Sequence, residues 1–184
     1  MDGEIKVPNE VQALVDFHGH LCPGLLIGYR AALLAAESLG AGASEDEELV
    51  LIAENDSCSV DAFQALLSTT FGKGNLIFRD YGKQVFTLGD RRTGRAVRVA
   101  LRFDAFDSQG GGREERIERL LKAPAQELFN VTAVILELPE AAQVHETLRC
   151  ERCREGVMAT RAVESGGKRY CLPCAGDMGL GGDR

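Results

Sequence analysis

A chain of 184 residues with 45% hydrophobic side chains can bury one domain core and leave a short appendage, and a net charge of −7 makes it a poor partner for a phosphate backbone. The acid is unevenly spread: residues 149–184 carry seven Lys/Arg and five Asp/Glu, leaving 14 against 23 in the rest, so nucleic-acid binding by the body is disfavoured. No apolar run approaches the roughly 20 residues that span a bilayer, and residues 1–8 lack the apolar stretch of a secretory signal; a soluble, cytoplasmic protein without membrane attachment is expected.

Val11, Leu14, Val15 and His18 fall on one helical stripe, which predicts a short amphipathic helix over Asn9–Phe17 whose end delivers a histidine. The chain continues His18-Gly19-His20-Leu21-Cys22-Pro23-Gly24, placing two of its three histidines and one of its six cysteines within five positions. No hydrophobic core requires such a cluster. Imidazole and thiolate are the ligands a borderline-soft cation such as Zn²⁺ prefers. At positions 18, 20 and 22 they converge only if the backbone turns, which Gly19 permits, while Pro23 forbids an uninterrupted helix. A second helix is predicted over Pro23–Leu39, stopped by Gly40, with Cys22 at its N-cap, where unpaired N–H groups and the positive dipole end favour a thiolate. Its Gly28, Ala31, Ala32, Ala35 and Ala36 suit tight packing on a sheet.

Beyond the acidic turn 44–48, the continuously apolar Leu49–Ala53 predicts a strand covered on both faces. It runs into Glu54-Asn55-Asp56-Ser57-Cys58-Ser59 and then a helix over Val60–Thr70, capped by Ser57 or Ser59. Cys58 thus falls near a strand-to-helix junction, where ligand sites of open α/β sheets lie, and is the natural fourth partner of His18, His20 and Cys22. Gly72-Lys73-Gly74-Asn75 lacks the spacing and the strand-before-helix context of a phosphate loop and reads as a helix stop, with Lys73 near the site.

Leu76–Asp80 and Gln84–Leu88 are predicted strands joined around Tyr81-Gly82-Lys83. Arg95–Phe103 alternates, with Val97, Val99, Leu101 and Phe103 on one face and an ion-paired or solvated Arg98 and Arg102 on the other. Ser108–Gly112 is a flexible connector, and Arg113–Lys122 a surface helix with Glu115–Arg119 and Glu118–Lys122 pairs. Pro124 interrupts it, and Val131–Leu138 is the fifth strand. This order predicts an α+β domain over residues 1–145, a mixed five-stranded sheet flanked by helices.

In residues 146–184, Cys150-Glu151-Arg152-Cys153 and Cys171-Leu172-Pro173-Cys174 have the pairing and separation of a four-cysteine zinc site. Short strands at Gly156–Arg161 and Lys168–Tyr170 are expected around the turn at 164–167. The segment is too small to bury a core, so metal binding should supply most of its folding free energy. Four thiolates leave no open coordination position, which makes Cys150, Cys153, Cys171 and Cys174 structural ligands.

Together, His18-Gly19-His20-Leu21-Cys22-Pro23-Gly24, Glu54-Asn55-Asp56-Ser57-Cys58-Ser59-Val60-Asp61, Gly72-Lys73-Gly74-Asn75 and the terminal Cys pairs resemble the formylmethanofuran dehydrogenase E-subunit family over nearly the full length. The resemblance implies a thioredoxin-like α+β core followed by a treble-clef zinc finger, and a core active site that can hold zinc. His18, His20, Cys22 and Cys58 occupy the matching positions, with Asp56 and Asp61 nearby. It also implies a link to a molybdenum or tungsten oxidoreductase of methane-related, anaerobic one-carbon metabolism.

The leading expectation is a metal-dependent enzyme or accessory subunit with Zn or another transition metal in the core, candidate catalytic groups Cys22, Cys58 and Asp56, and Asp56 or Asp61 as acid/base. A metal or cofactor carrier or docking protein without catalysis, and a thiol-redox protein cycling a Cys22–Cys58 disulfide, are the alternatives. Expected partners are molybdenum or tungsten oxidoreductase subunits and a second copy of the chain, met through helix 23–39 and the strand edges.

Overall fold

In the computed structural model, which describes residues 7–106 and 112–180, the chain forms two compact units, Met1–Ala142 and Gln143–Arg184, a division three residues before the expected one. Among the described residues no helix is long and apolar enough to cross a membrane.

The first unit is built around β1 (Leu49–Ala53), buried at every position as its unbroken apolar run requires. Its neighbours are β2 (Leu76–Phe78), parallel to it, and β3 (Val85–Asp90), antiparallel. β4 (Arg95–Leu101) and β5 (Phe129–Val134) complete a mixed sheet of order β2-β1-β3-β4-β5. The two strands expected to pair through residues 81–83 therefore lie on opposite sides of β1. The most apolar strand takes the position protected on both edges, and the turn only carries the chain across it.

Period-two alternation sorts the sheet's faces. Leu49, Leu51, Ala53, Phe86, Leu88, Val97 and Val99 join one core cluster with Val11 and Leu14 of α1 (Asn9–His18), the apolar side of α2 (Pro23–Leu39), Ala62, Phe63 and Leu67 of α3 (Ser59–Leu67), and Ile117 and Leu120 of α4 (Arg113–Lys122). The Phe63 and Phe86 rings stack at 4.6 Å. The helices thus gather on one face of the sheet. α2 buries ten of its 17 residues, while Leu33 on the same helix stays exposed.

On the opposite face an extended segment crosses β3. Leu138 lies against Gly89, where any Cβ would meet Leu138 Cδ2 at 2.4 Å, and Arg91 donates to the carbonyls of Pro139 and Glu140. This explains a shifted boundary. The apolar run predicts β5 at Val131–Leu138, but β4 offers partners only from Leu101, opposite Phe129, to Ala96, opposite Val134. Ile135 then leaves the edge fully exposed, and Leu138 finds cover on Gly89 instead.

β4 ends at Leu101, where α5 (Ala125–Leu128) precedes β5 and no strand continues the ladder, so Phe103 is solvent-exposed rather than in the core. The predicted ion-paired face is present: Arg98 meets Glu54 at 3.5 Å and Arg102 meets Asp104 at 2.9 Å. On α4, Lys122 pairs with Glu118 as expected, while Arg119 reaches Glu127 and the Ala105 carbonyl. α3 stops at Leu67, earlier than expected, because Ser68 turns left-handed at φ 55° and the buried Asn75 accepts from the Thr70 N–H at 2.8 Å. Lys73 donates to the Asp46 carbonyl at 2.7 Å. The expected connector Ser108–Gly112 lies, apart from Gly112, outside the described residues.

The second unit contains two hairpins where one is expected. β6 (Thr147–Arg149) pairs with β7 (Gly156–Met158), and β8 (Ala162–Ser165) with β9 (Lys168–Cys171), ahead of α6 (Leu172–Asp177). The β8–β9 turn is Gly166-Gly167, both at positive φ, which lets two residues reverse the chain.

Candidate functional site

Three helix ends converge in the first unit. α1 ends at His18 because Gly19 takes a left-handed conformation at φ 98°, turning the chain so that His20 and Cys22 come back beside His18. Cys22 is the N-cap of α2, as predicted, and its sulfur accepts from the Leu25 N–H at 3.3 Å. Tyr29 of α2 holds α1 in place by donating to Glu10 Oε2 at 3.1 Å. Arg113 Nη2 donates to the Leu21 carbonyl at 2.5 Å, bracing the turn itself.

The third end is the start of α3, where Cys58 stands at the N-cap position without a capping bond from its side chain. Its loop is fixed by Asn55, buried, which donates to the Lys83 carbonyl at 2.7 Å and accepts from the Ser57 N–H, Ser57 Oγ and Ser59 Oγ. Gln84 closes the network through both serine hydroxyls. Ser57 and Ser59, predicted as caps, instead anchor the loop to β3's approach.

Two glycines of α2 let this loop come close. Gly28 meets Ser59 backbone to backbone, so the small residue faces α3 and not the sheet. One turn earlier, a point at the Cβ position of Gly24 is 3.7 Å from Cys58 Sγ and 3.8 Å from Cys22 Sγ. The two sulfurs are therefore neighbours across a gap that only a missing side chain leaves. Glycines at i and i+4 mark one helix face, a signal in the sequence for close approach at this point.

His18, His20 and Cys22 each present a ligand atom, all within 4.8 Å of one another, and the two imidazole rings lie 4.7 Å apart. Ligands of a tetrahedral zinc sit roughly 3.3–3.8 Å apart, so small side-chain adjustments bring this donor set onto one ion. Cys58 is outside that triad but adjacent to Cys22; burial first, then hydrogen bonding with the Cys22 thiol, pushes its own thiol up from the ordinary value. His18 Nδ1 is 2.7 Å from Asp61 Oδ2, on the side away from Cys22. Asp56 is exposed and makes no hydrogen bond or ion pair among the described residues, so of the two nearby aspartates it is Asp61 that touches the cluster.

In the second unit the sulfurs of Cys150, Cys153, Cys171 and Cys174 also fall within 4.8 Å of one another and can hold a metal ion. The Cys171 N–H points at Cys150 Sγ at 3.3 Å, tying the first Cys pair to the second. That bond brings Cys150 down to about 6, with the Cys153 and Arg152 N–H groups assisting. Cys153 is drawn down by the Glu155 N–H yet ends up at about 12, through partial desolvation and its hydrogen bonds with the Cys150 and Cys171 sulfurs. Among the described residues of this unit only Cys150, Cys174 and Ala175 are buried. The ligands themselves are nearly the whole core.

An α+β unit that gathers imidazole and thiol groups at three helix ends, followed by a four-cysteine finger, defines a narrow class of protein. The model of the family described as "FmdE, Molybdenum formylmethanofuran dehydrogenase operon" matches residues 17–141, and the chain belongs to that family. It is similar to a tungsten formylmethanofuran dehydrogenase FmdE-like protein from Syntrophus aciditrophicus, with a TM-score of 0.72 and 29% identity over 92% of this chain and 91% of that one. It is also 34% identical, over 88% of its length, to a probable S-adenosyl-L-methionine-binding protein of Archaeoglobus fulgidus, of which it spans 51%.

Proposed function

We propose that this protein is a zinc-binding accessory subunit or enzyme working with a molybdenum or tungsten oxidoreductase of anaerobic one-carbon metabolism. The proposal rests on one observation: His18, His20 and Cys22 gathered within 4.8 Å, with the Cys58 sulfur beside Cys22. Three protein ligands leave a coordination position free, unlike the four-thiolate finger. Zinc in the core supplies a Lewis acid able to polarise a carbonyl or activate water. His18, His20 and Cys22 would hold it, with the Cys58 sulfur beside Cys22 available as a further ligand. Family membership supports the link to the oxidoreductase. The parallel β1–β2 pair joined through α3, followed by antiparallel β3 and β4, supports a thioredoxin-like reading of the core. The Cys pair on a hairpin, a second hairpin, and a helix carrying the second pair support a treble clef.

Metal analysis of the full chain beside Cys22→Ala and Cys58→Ala tests the core site. Two equivalents in the wild type, one in Cys22→Ala and a weakened second equivalent in Cys58→Ala are expected. One equivalent in all three would leave the finger as the sole metal site and end the proposal.

A second reading follows from the Archaeoglobus relative: the core binds S-adenosylmethionine. Equilibrium dialysis with the labelled compound decides it, since saturable binding abolished by Cys22→Ala would put that molecule at the same three helix ends.

A further inference from the structure

We infer that Asp61 is a positioning residue of the core site, holding His18 in the tautomer and ring orientation that turn Nε2 toward Cys22. A carboxylate only accepts hydrogen bonds, so at 2.7 Å from Asp61 Oδ2 it is His18 Nδ1 that carries the proton. In the neutral ring this leaves the lone pair on Nε2, 3.9 Å from Cys22 Sγ. The His18 side chain is 11% exposed, so water competes weakly for that ring, whereas the Asp61 side chain is 34% exposed and keeps access to solvent.

Asp61 is itself held. Its other oxygen accepts from Gln64 Nε2 at 3.2 Å, and it sits in the first turn of α3, whose positive end favours a carboxylate. α3 is locked against α2 at Gly28 and Ser59, so the distance from Asp61 to the Cys22 turn is set by backbone contact and not by a flexible side chain. Bonded to the far nitrogen of His18, Asp61 acts on the site through that ring. The acid/base role expected for Asp56 or Asp61 becomes, for Asp61, one of orientation.

The consequence for metal rests on the core-site reading above; the geometry does not. A carboxylate behind a ligating imidazole fixes the ring and raises its basicity, and its loss typically costs about 10- to 100-fold in metal affinity.

The test uses the full-length chain, with Asp61→Ala and Asp61→Asn. Co²⁺ is titrated against a competing chelator after the finger is filled with Zn²⁺, and long-range ¹H–¹⁵N spectra of the metal-free core report the His18 tautomer. Asp61→Ala should weaken core binding about 10- to 100-fold, leave the finger's equivalent in place and release His18 from the Nδ1–H form. Asp61→Asn, whose amide oxygen still accepts from Nδ1, should restore the tautomer and part of the affinity, which a general loss of folding would not. An unchanged His18 tautomer in Asp61→Ala overturns the inference. If the wild type takes up only the finger's metal, the core-site reading fails by itself, and the tautomer spectra still decide the role of Asp61.

Discussion

Gly28 and Ser59 meet backbone to backbone: a Cβ on residue 28 would stand 2.0 Å from the Ser59 carbonyl oxygen and 2.7 Å from its Cα. The contact carries α3, and with it Cys58 and Asp61, up to the start of α2. Gly28→Ala should gain about 0.8–1 kcal/mol of helix propensity, but overpacking against backbone costs about 1–3 kcal/mol and no side chain can move aside. A net destabilisation is expected in urea unfolding and, on the proposed core site, loss of its metal equivalent with retention of the finger's. A raised unfolding midpoint with normal core binding would show that α2 and α3 do not touch there.

The Asn55 network predicts a second, local effect. Asn55→Asp keeps the oxygen that Ser57 and Ser59 donate to but replaces the donor that faces the Lys83 carbonyl with a second acceptor. The Lys83 carbonyl keeps its bond from the Val85 N–H, but a buried carboxylate oxygen set against it has no donor there, which should cost about 1–3 kcal/mol. Hydrogen exchange should speed up in residues 55–59 and 81–84 before it does in β1. Uniform exchange rates across the unit would show that the loop is held by something else.

In the finger, ligand removal should act as denaturation. With Cys150, Cys174 and Ala175 as the only buried groups among its described residues, nothing apolar can replace a metal worth about 10–16 kcal/mol in comparable fingers. A strong chelator, or Cys150→Ala, should expose residues 143–180 to limited proteolysis while a fragment near 1–142 survives. A finger that stays resistant without metal would refute the assignment.

Glu48 gives a pH signature. Ser44 Oγ at 2.6 Å, then the Asp46 N–H at 3.0 Å, donate to its carboxylate and hold it at about 2, below the ordinary value of 4.5. Because the folded value is depressed, its stabilisation is complete above 4.5 and disappears as pH falls toward 2. Glu48→Gln should therefore melt below wild type at neutral pH, with the gap closing across that window. A gap that is constant with pH would mean the hydrogen bonds do not favour the ionised form.

Much of the site could be read from local chemistry. Gly19, Pro23 and the three donors at 18, 20 and 22 lie in one short turn, so their convergence depends on nearby backbone alone, and the N-cap place of Cys22 follows from the proline beside it. The two Cys pairs are legible for the same reason, since ligand spacing is a covalent property of the chain. Cys58 could be brought to the cluster only by likeness to a family and by its place after a strand. Asp61 was one of two candidates that spacing could not separate.

What the sequence by itself determined was the inventory of elements and donors: the buried run of β1, the cap and stop of α2, the imidazoles, and the four thiols of the finger. Which strand flanks which, that β2 and β3 sit on either side of β1, that β5 gives up its last residues to the sheet's other face, and that Asp61 rather than Asp56 grips His18 were decided by tertiary structure. The physical reason is range. Caps, turns and ligand spacing are fixed by neighbours along the chain, whereas the His18–Asp61 hydrogen bond joins residues 43 positions apart, on α1 and α3, and needs the helix packing in which Gly28 lets α2 and α3 touch.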